Sequence, residues 1–243
     1  MQETDQIHEL KEPLEQHLPH IWQDLVYYND AKLTLCVPAN LSGQKQPHYP
    51  VILFAPDNYT NRLSALLQFT HKGYAIAILN VLEKDPLKNF NSAARFLMLH
   101  AWQYQLDPHR IIAMGEGFGA YAAAGAILGV GKQAINREDI HTLPVHFRSC
   151  ITISGKFTLA GQPQLTDLLG KRRLPPFLLF HGESDKLVSF QESRAFFGLL
   201  NDQAADVVFY KIKDCPHGSD AFFTPYVLDL YANFIAKSIQ KGK

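Results

Sequence analysis

Short apolar runs bounded by turn residues recur along the chain: WQDLVYY, KLTLCVP, YPVILFA, YAIAILNV, RIIAMG, FRSCITIS, PFLLFHG and DVVFYKI. Runs of this length, rich in Val, Ile, Phe and Tyr, predict eight β-strands. From the third onward they alternate with segments of helical period at 61–72, 90–105, 117–130, 189–201 and 219–239. Strand and helix in alternation build βα units, and near-continuous apolar strands need cover on both sides. The first two runs are separated by NDAK, a short Asn-Asp turn that predicts a hairpin and an antiparallel edge. The expected class is therefore α/β, with a mostly parallel eight-stranded mixed sheet and helices on both faces.

No Gly/Ser linker, composition shift or internal repeat interrupts the alternation, so residues 21–243 are read as one domain behind a polar extension at 1–20. Two stretches lack a clean period, 131–147 and 156–176, and are expected as short cap segments forming pocket walls.

Composition narrows the partners. Hydrophobic residues make up 47% of the chain and charged residues 19%, which supports a sizeable core and excludes a disordered chain. The 23 Lys and Arg balance the 23 Asp and Glu, so no positive field draws in nucleic acid or an acidic membrane surface. Neither partner is expected. The acidic start, MQETDQIHELKEPLE, lacks the apolar stretch of a secretory signal. Cys36, Cys150 and Cys215 show no metal-type spacing, and three cysteines do not suggest a disulfide framework. The expectation is a cytoplasmic protein, a monomer or homodimer, with no cofactor and no metal.

In open α/β sheets reactive groups stand on loops at the carboxyl ends of the strands. After RIIAM comes Gly115-Glu116-Gly117-Phe118-Gly119, after PFLLF comes HGESDKLV, and after DVVFYKI comes KDCPHGSDAF. The order is a glycine-flanked strand-to-helix turn, then an acid, then a histidine. In this combination LDPHRIIAMGEGFGA, PPFLLFHGESDKLV and CPHG ahead of an amphipathic last helix resemble the α/β-hydrolase superfamily, closest to its small esterase and lipase branch of feruloyl- and acetyl-esterase-like enzymes. The resemblance covers roughly residues 21 to 240.

The resemblance implies a nucleophile–acid–base triad, with Asp185 as the acid that fixes the imidazole tautomer and His217 as the general base. It matches the nucleophile serine to Gly117, which has no hydroxyl to give. The family commonly carries His-Gly-Gly after the third strand for the oxyanion, whereas here Pro56-Asp57-Asn58-Tyr59 follows it. Pro56 removes an N–H there and Asp57 adds a negative charge, so Asp57, Asn58 and Phe118 are the oxyanion candidates of a compromised site.

Three functions fit this pattern. The first is a protein of carboxylesterase or lipase ancestry that has lost the serine route and keeps a pocket for an ester or acyl ligand. The second is an active hydrolase of short acyl or aryl esters whose serine at 117 has been deliberately substituted. The third is a non-catalytic ligand-binding or interaction module.

The remaining candidates are read as structural. Glu116 is expected to point away from the reacting face rather than act as a nucleophile. Cys215 lies too close to His217 in sequence to face it productively. His181 and Ser184 are expected to support the Asp185 loop. Phe118, Tyr59, Phe157 and Phe222 could line a pocket, yet in a chain with 16 Phe and 10 Tyr most aromatic residues belong to the core.

Overall fold

The structure, a computed structural model, describes residues 18–39, 48–57, 62–80, 85–136 and 144–240. All eight expected strands are present: β1 His20–Tyr28, β2 Ala31–Val37, β3 Tyr49–Ala55, β4 Ala75–Leu79, β5 Leu106–Glu116, β6 Phe147–Ile153, β7 Phe177–Gly182 and β8 Val207–Ile212. They form one sheet in the order β1-β2-β4-β3-β5-β6-β7-β8. β1 pairs antiparallel with β2, and β2 antiparallel with β4, while every pairing from β4–β3 to β7–β8 is parallel. The hairpin turns on Asn29, whose φ of 47° is tolerated by the short polar side chain. β1 slips register between Trp22 and Leu25, where Asp24 takes a φ of 56°, as at an edge-strand bulge.

The helices are α1 Leu63–Leu67, α2 Pro86–Leu99, α3 Phe118–Leu128, α4 Leu165–Leu168, α5 Phe190–Asp202 and α6 Pro225–Gln240. The segment expected as a helix at 61–72 is α1 followed by a separate 3-10 turn, Thr70–Lys72, and two further boundaries differ for reasons of proline chemistry. α2 begins at Pro86, which fits the first helical position because its missing N–H would be unpaired there, and ends before residue 100. The segment expected as one helix at 219–239 is a short 3-10 turn, Asp220–Phe223, followed by α6. Thr224 is held extended (ψ 154°) by the proline after it. Among the described residues no helix is long and apolar enough to cross a membrane.

Strand residues alternate between two cores. Val51, Leu53, Ala55, Ile111 and Ala113 face the core shared with α2, α3 and α5. Ile52, Phe54, Ile112 and Met114 face the one shared with α1 and α6. The central strands β3 and β5 are therefore buried on both faces, which fixes their register and so the height at which their carboxyl ends stop. Asp57 follows the carboxyl end of β3 and Gly117 that of β5, while Asp185 and His217 follow the carboxyl ends of β7 and β8.

Candidate active site

The β5–α3 turn has the geometry of a sharp elbow. Gly117 adopts φ 54° and ψ −117°, a conformation that costs a side-chain-bearing residue energy and glycine little. Its N–H donates to the Ile153 carbonyl at 2.9 Å, and its own carbonyl accepts from the Lys156 N–H at 3.0 Å. The turn is closed tightly against β3: a Cβ on Gly119 would stand 2.0 Å from the Ala55 carbonyl oxygen.

Asp185, in the loop after β7, is held on both oxygens. Its Oδ1 accepts the N–H groups of Leu187 (3.0 Å) and Val188 (2.8 Å), and its Oδ2 accepts His217 Nδ1–H at 2.7 Å. His181 Nε2 stands 3.4 Å from the same Oδ2, with its Nδ1 2.7 Å from the Ser193 hydroxyl. Burial raises the Asp185 pKa, but the hydrogen bonds from His181, His217 and Val188 outweigh it and hold the carboxyl well below the usual range.

Asp57 stands where a serine side chain would project. A Cβ built on Gly117 would lie 2.3 Å from Asp57 Oδ2, and that oxygen is 2.6 Å from His217 Nε2. The structure thus brings Gly117, Asp57, Asp185 and His217 together, and the carboxyl group of Asp57 occupies the space that a side chain at 117 would enter. Asn58, the other oxyanion candidate from this loop, lies outside the described residues, as does Tyr59. Phe118 opens α3, its ring under the Lys156 ammonium at 5.5 Å.

A histidine between two carboxylates behaves differently from a triad base. Both partners accept, so both ring nitrogens donate. The hydrogen bonds to Asp185 and then Asp57, together with their charges, outweigh burial and push the His217 pKa up to about 9. Near neutral pH the group is an imidazolium, which has no lone pair with which to take a proton.

A second buried network ties this site together, and no sequence motif marked it. Arg62 makes a two-pronged pair with Glu116, Nε to Oε2 at 2.9 Å and Nη2 to Oε1 at 2.7 Å. The same guanidinium donates to the Gly218 carbonyl (2.8 Å) and to Asp220 (2.9 Å), and lies 4.5 Å over the Phe223 ring. One side chain therefore bolts the residue before Gly117 to the residue after His217. Glu116 is fully buried and directed to Arg62. Its partner is 54 residues away, so only the fold could disclose the pair.

The other candidates are dispersed. Cys215 is buried, and burial raises its thiol pKa. Phe157 stacks on Phe196 at 4.1 Å, and Phe222 is fully enclosed in the core. Ser184 is exposed and donates its backbone N–H to Cys215, bracing the acid loop against the histidine loop. Among the described residues no three His, Cys, Asp or Glu side chains are arranged to hold a metal ion.

Solved structures of similar architecture include esterases. A truncated carbohydrate esterase from gut microbiota superposes with a TM-score of 0.73 at 16% identity, over 94% of this chain and 99% of its own. Esterase 2 of Thermogutta terrifontis, phosphoramylated by tabun, gives 0.70 at 20% identity over 94% and 97%. The fold is that of the α/β-hydrolases. No family model matches the chain. By sequence it is 23% identical to a probable isoprenylcysteine alpha-carbonyl methylesterase of Arabidopsis thaliana, over 80% of this chain and 51% of the relative. A second methylesterase of that plant is 24% identical over 75% and 53%. The chain spans about half the length of the curated relatives it matches.

Proposed function

We propose that this chain is an α/β-hydrolase of carboxylesterase ancestry in which the serine route is closed, and that what it retains is a site for an ester or acyl ligand. The observation that carries the reading is the pairing of Gly117 with Asp57. A turn that merely lost its serine would leave a gap beside the histidine; here a carboxylate from the β3 loop takes up that volume, 2.6 Å from His217 Nε2.

Two consequences follow for ester chemistry. A hydroxyl attacks only if a neutral imidazole removes its proton, and His217 is held protonated by its two carboxylates. An oxyanion also needs donors where its charge develops, and the carboxyl group of Asp57 stands beside the reacting position, 2.6 Å from His217 Nε2, where it offers acceptors instead. Restoring serine would set its Cβ 2.3 Å from Asp57 Oδ2, so the Asp57 side chain has to swing aside before the route reopens.

Intact-mass labelling with a fluorophosphonate tests the reading. The chain itself remains unlabelled, Gly117→Ser labels slowly, and Gly117→Ser with Asp57→Gly labels at the new serine at least about tenfold faster, the direction expected when an opposing charge is removed from an oxyanion site. Labelling of the unaltered chain, or equal rates for the single and double variants, would contradict it.

A further inference from the structure

The acid of this site sits on a connection, residues 183–189, between β7 and α5. A loop carboxylate is aimed only as well as the loop itself is tied down. Within the connection, Asp185 Oδ1 accepts the Leu187 and Val188 N–H groups, which curls the turn but leaves the Val188 carbonyl and the second carboxylate oxygen to be held from elsewhere. One side chain reaches both. His181, near the end of β7 and fully buried, places Nε2 3.0 Å from the Val188 carbonyl oxygen and 3.4 Å from Asp185 Oδ2. Its ring is fixed from the α5 side, with Nδ1 2.7 Å from the Ser193 hydroxyl and the Phe190 ring packed edge-on at 5.6 Å.

The partners decide where the proton sits. The Val188 carbonyl and the Asp185 carboxylate only accept, so Nε2 carries the hydrogen. Nδ1 is then the acceptor, and the Ser193 hydroxyl donates to it. The opposite sense would leave a buried O–H with nothing to donate to, because His181 is the only side-chain or backbone partner of the Ser193 hydroxyl among the described residues. Hydrogen bonds therefore run from Ser193 to His181 and from His181 to the Asp185 turn, whose Oδ2 accepts His217 Nδ1–H at 2.7 Å.

We infer that His181, locked in its Nε2–H tautomer by Ser193, is a positioning residue of this site: it clamps the Val188 carbonyl and Asp185 Oδ2 and so aims that oxygen at His217 Nδ1. The helix α5 enters the geometry of the site through Ser193. The titratable groups facing Asp185 are His181 from β7 and His217 from the loop after β8, and His217 faces Asp57 after β3 on its other side. Burial raises the Asp185 pKa, and among the contacts that more than offset it His181 comes first, ahead of His217 and Val188. Position 117 plays no part in the clamp, which stands whichever way the serine route is read.

NMR of the full chain tests the assignment. The ¹⁵N shifts of the His181 ring show a protonated Nε2 and a bare Nδ1. His181→Leu removes the donor, lets the Asp185 carboxylate turn away and lowers the His217 titration midpoint by about half a unit or more. His181→Gln, whose amide nitrogen reaches the place of Nε2 and donates from it, keeps most of the midpoint. Ser193→Ala removes a single hydroxyl and lowers the midpoint in the same direction by less. A role confined to stability would shift the melting temperature of these variants and leave the His217 midpoint where it was. A hydrogen found on His181 Nδ1, an unchanged midpoint in folded His181→Leu, or a fall in His181→Gln as large as in His181→Leu would each overturn the assignment. Should His181→Leu fail to fold, an unchanged midpoint in Ser193→Ala would do the same.

Discussion

At the scale of single residues, Gly117 and Asp57 are complementary. Gly117 could be recognised as the odd residue from GEGFG alone, because the turn around it has the spacing of a nucleophile elbow. The meaning of Asp57 could not, since its partner His217 is 160 positions away and the loop looks like nothing more than a degraded oxyanion segment. Their interdependence predicts non-additive stability. Gly117→Ala places a Cβ 2.3 Å from a buried carboxylate at φ 54°, and costs about 2–4 kcal/mol from backbone strain and overpacking. In an Asp57→Gly background the clash disappears and only the backbone cost remains. Urea unfolding of the two single variants and the double variant should therefore give a coupling of about 1–2 kcal/mol. Additive effects would mean that the two side chains do not compete for one volume.

At the scale of elements, the approximate places of all eight strands follow from apolar runs between turn residues, because buried parallel strands have few alternatives to that composition, whereas their order in the sheet comes from the structure. Helix ends were less legible. Pro86 and Pro225 set the true starts of α2 and α6, whereas hydrophobic period alone drifts by a turn. The link between the β5–α3 elbow and the histidine loop was not legible at all. Arg62, just before α1, reads as an ordinary arginine, yet its side chain is only 6% exposed and the carboxylate of its partner Glu116 is fully enclosed. Removing one half of a buried pair leaves the other charge uncompensated. Arg62→Met is expected to lower unfolding free energy by about 3–5 kcal/mol, and Arg62→Met with Glu116→Gln to recover a good part of it. Chemical denaturation of the two variants checks this; a loss below about 1 kcal/mol for Arg62→Met would show that the pair behaves like a solvated surface bridge.

At the scale of the whole molecule, the charge trio Asp57–His217–Asp185 should write itself into the pH dependence of stability. His217 titrates near 9 in the folded protein and at the ordinary histidine value of about 6.5 when unfolded. A raised folded value contributes stability that is complete below about pH 6.5 and is lost as pH rises through about 9, amounting to roughly 2–3 kcal/mol after solvent screening. Asp185 acts in the other sense: its depressed folded value contributes stability present above the unfolded carboxylate pKa of about 4 and lost on acidification below it. Thermal melts across this range should give a plateau between about pH 5 and 6.5, with a decline toward 9 that is smaller in Asp57→Asn. The measurement that tests the central claim most directly is the NMR titration of the His217 ring, in the unaltered chain and in Asp57→Asn. If the Asp57 carboxylate stands in the serine's place and grips Nε2, the midpoint lies near 9 and falls by a unit or more in the variant. An ordinary midpoint of about 6.5 that the variant leaves unchanged would show that Asp57 does not hold the histidine, and would contradict the account.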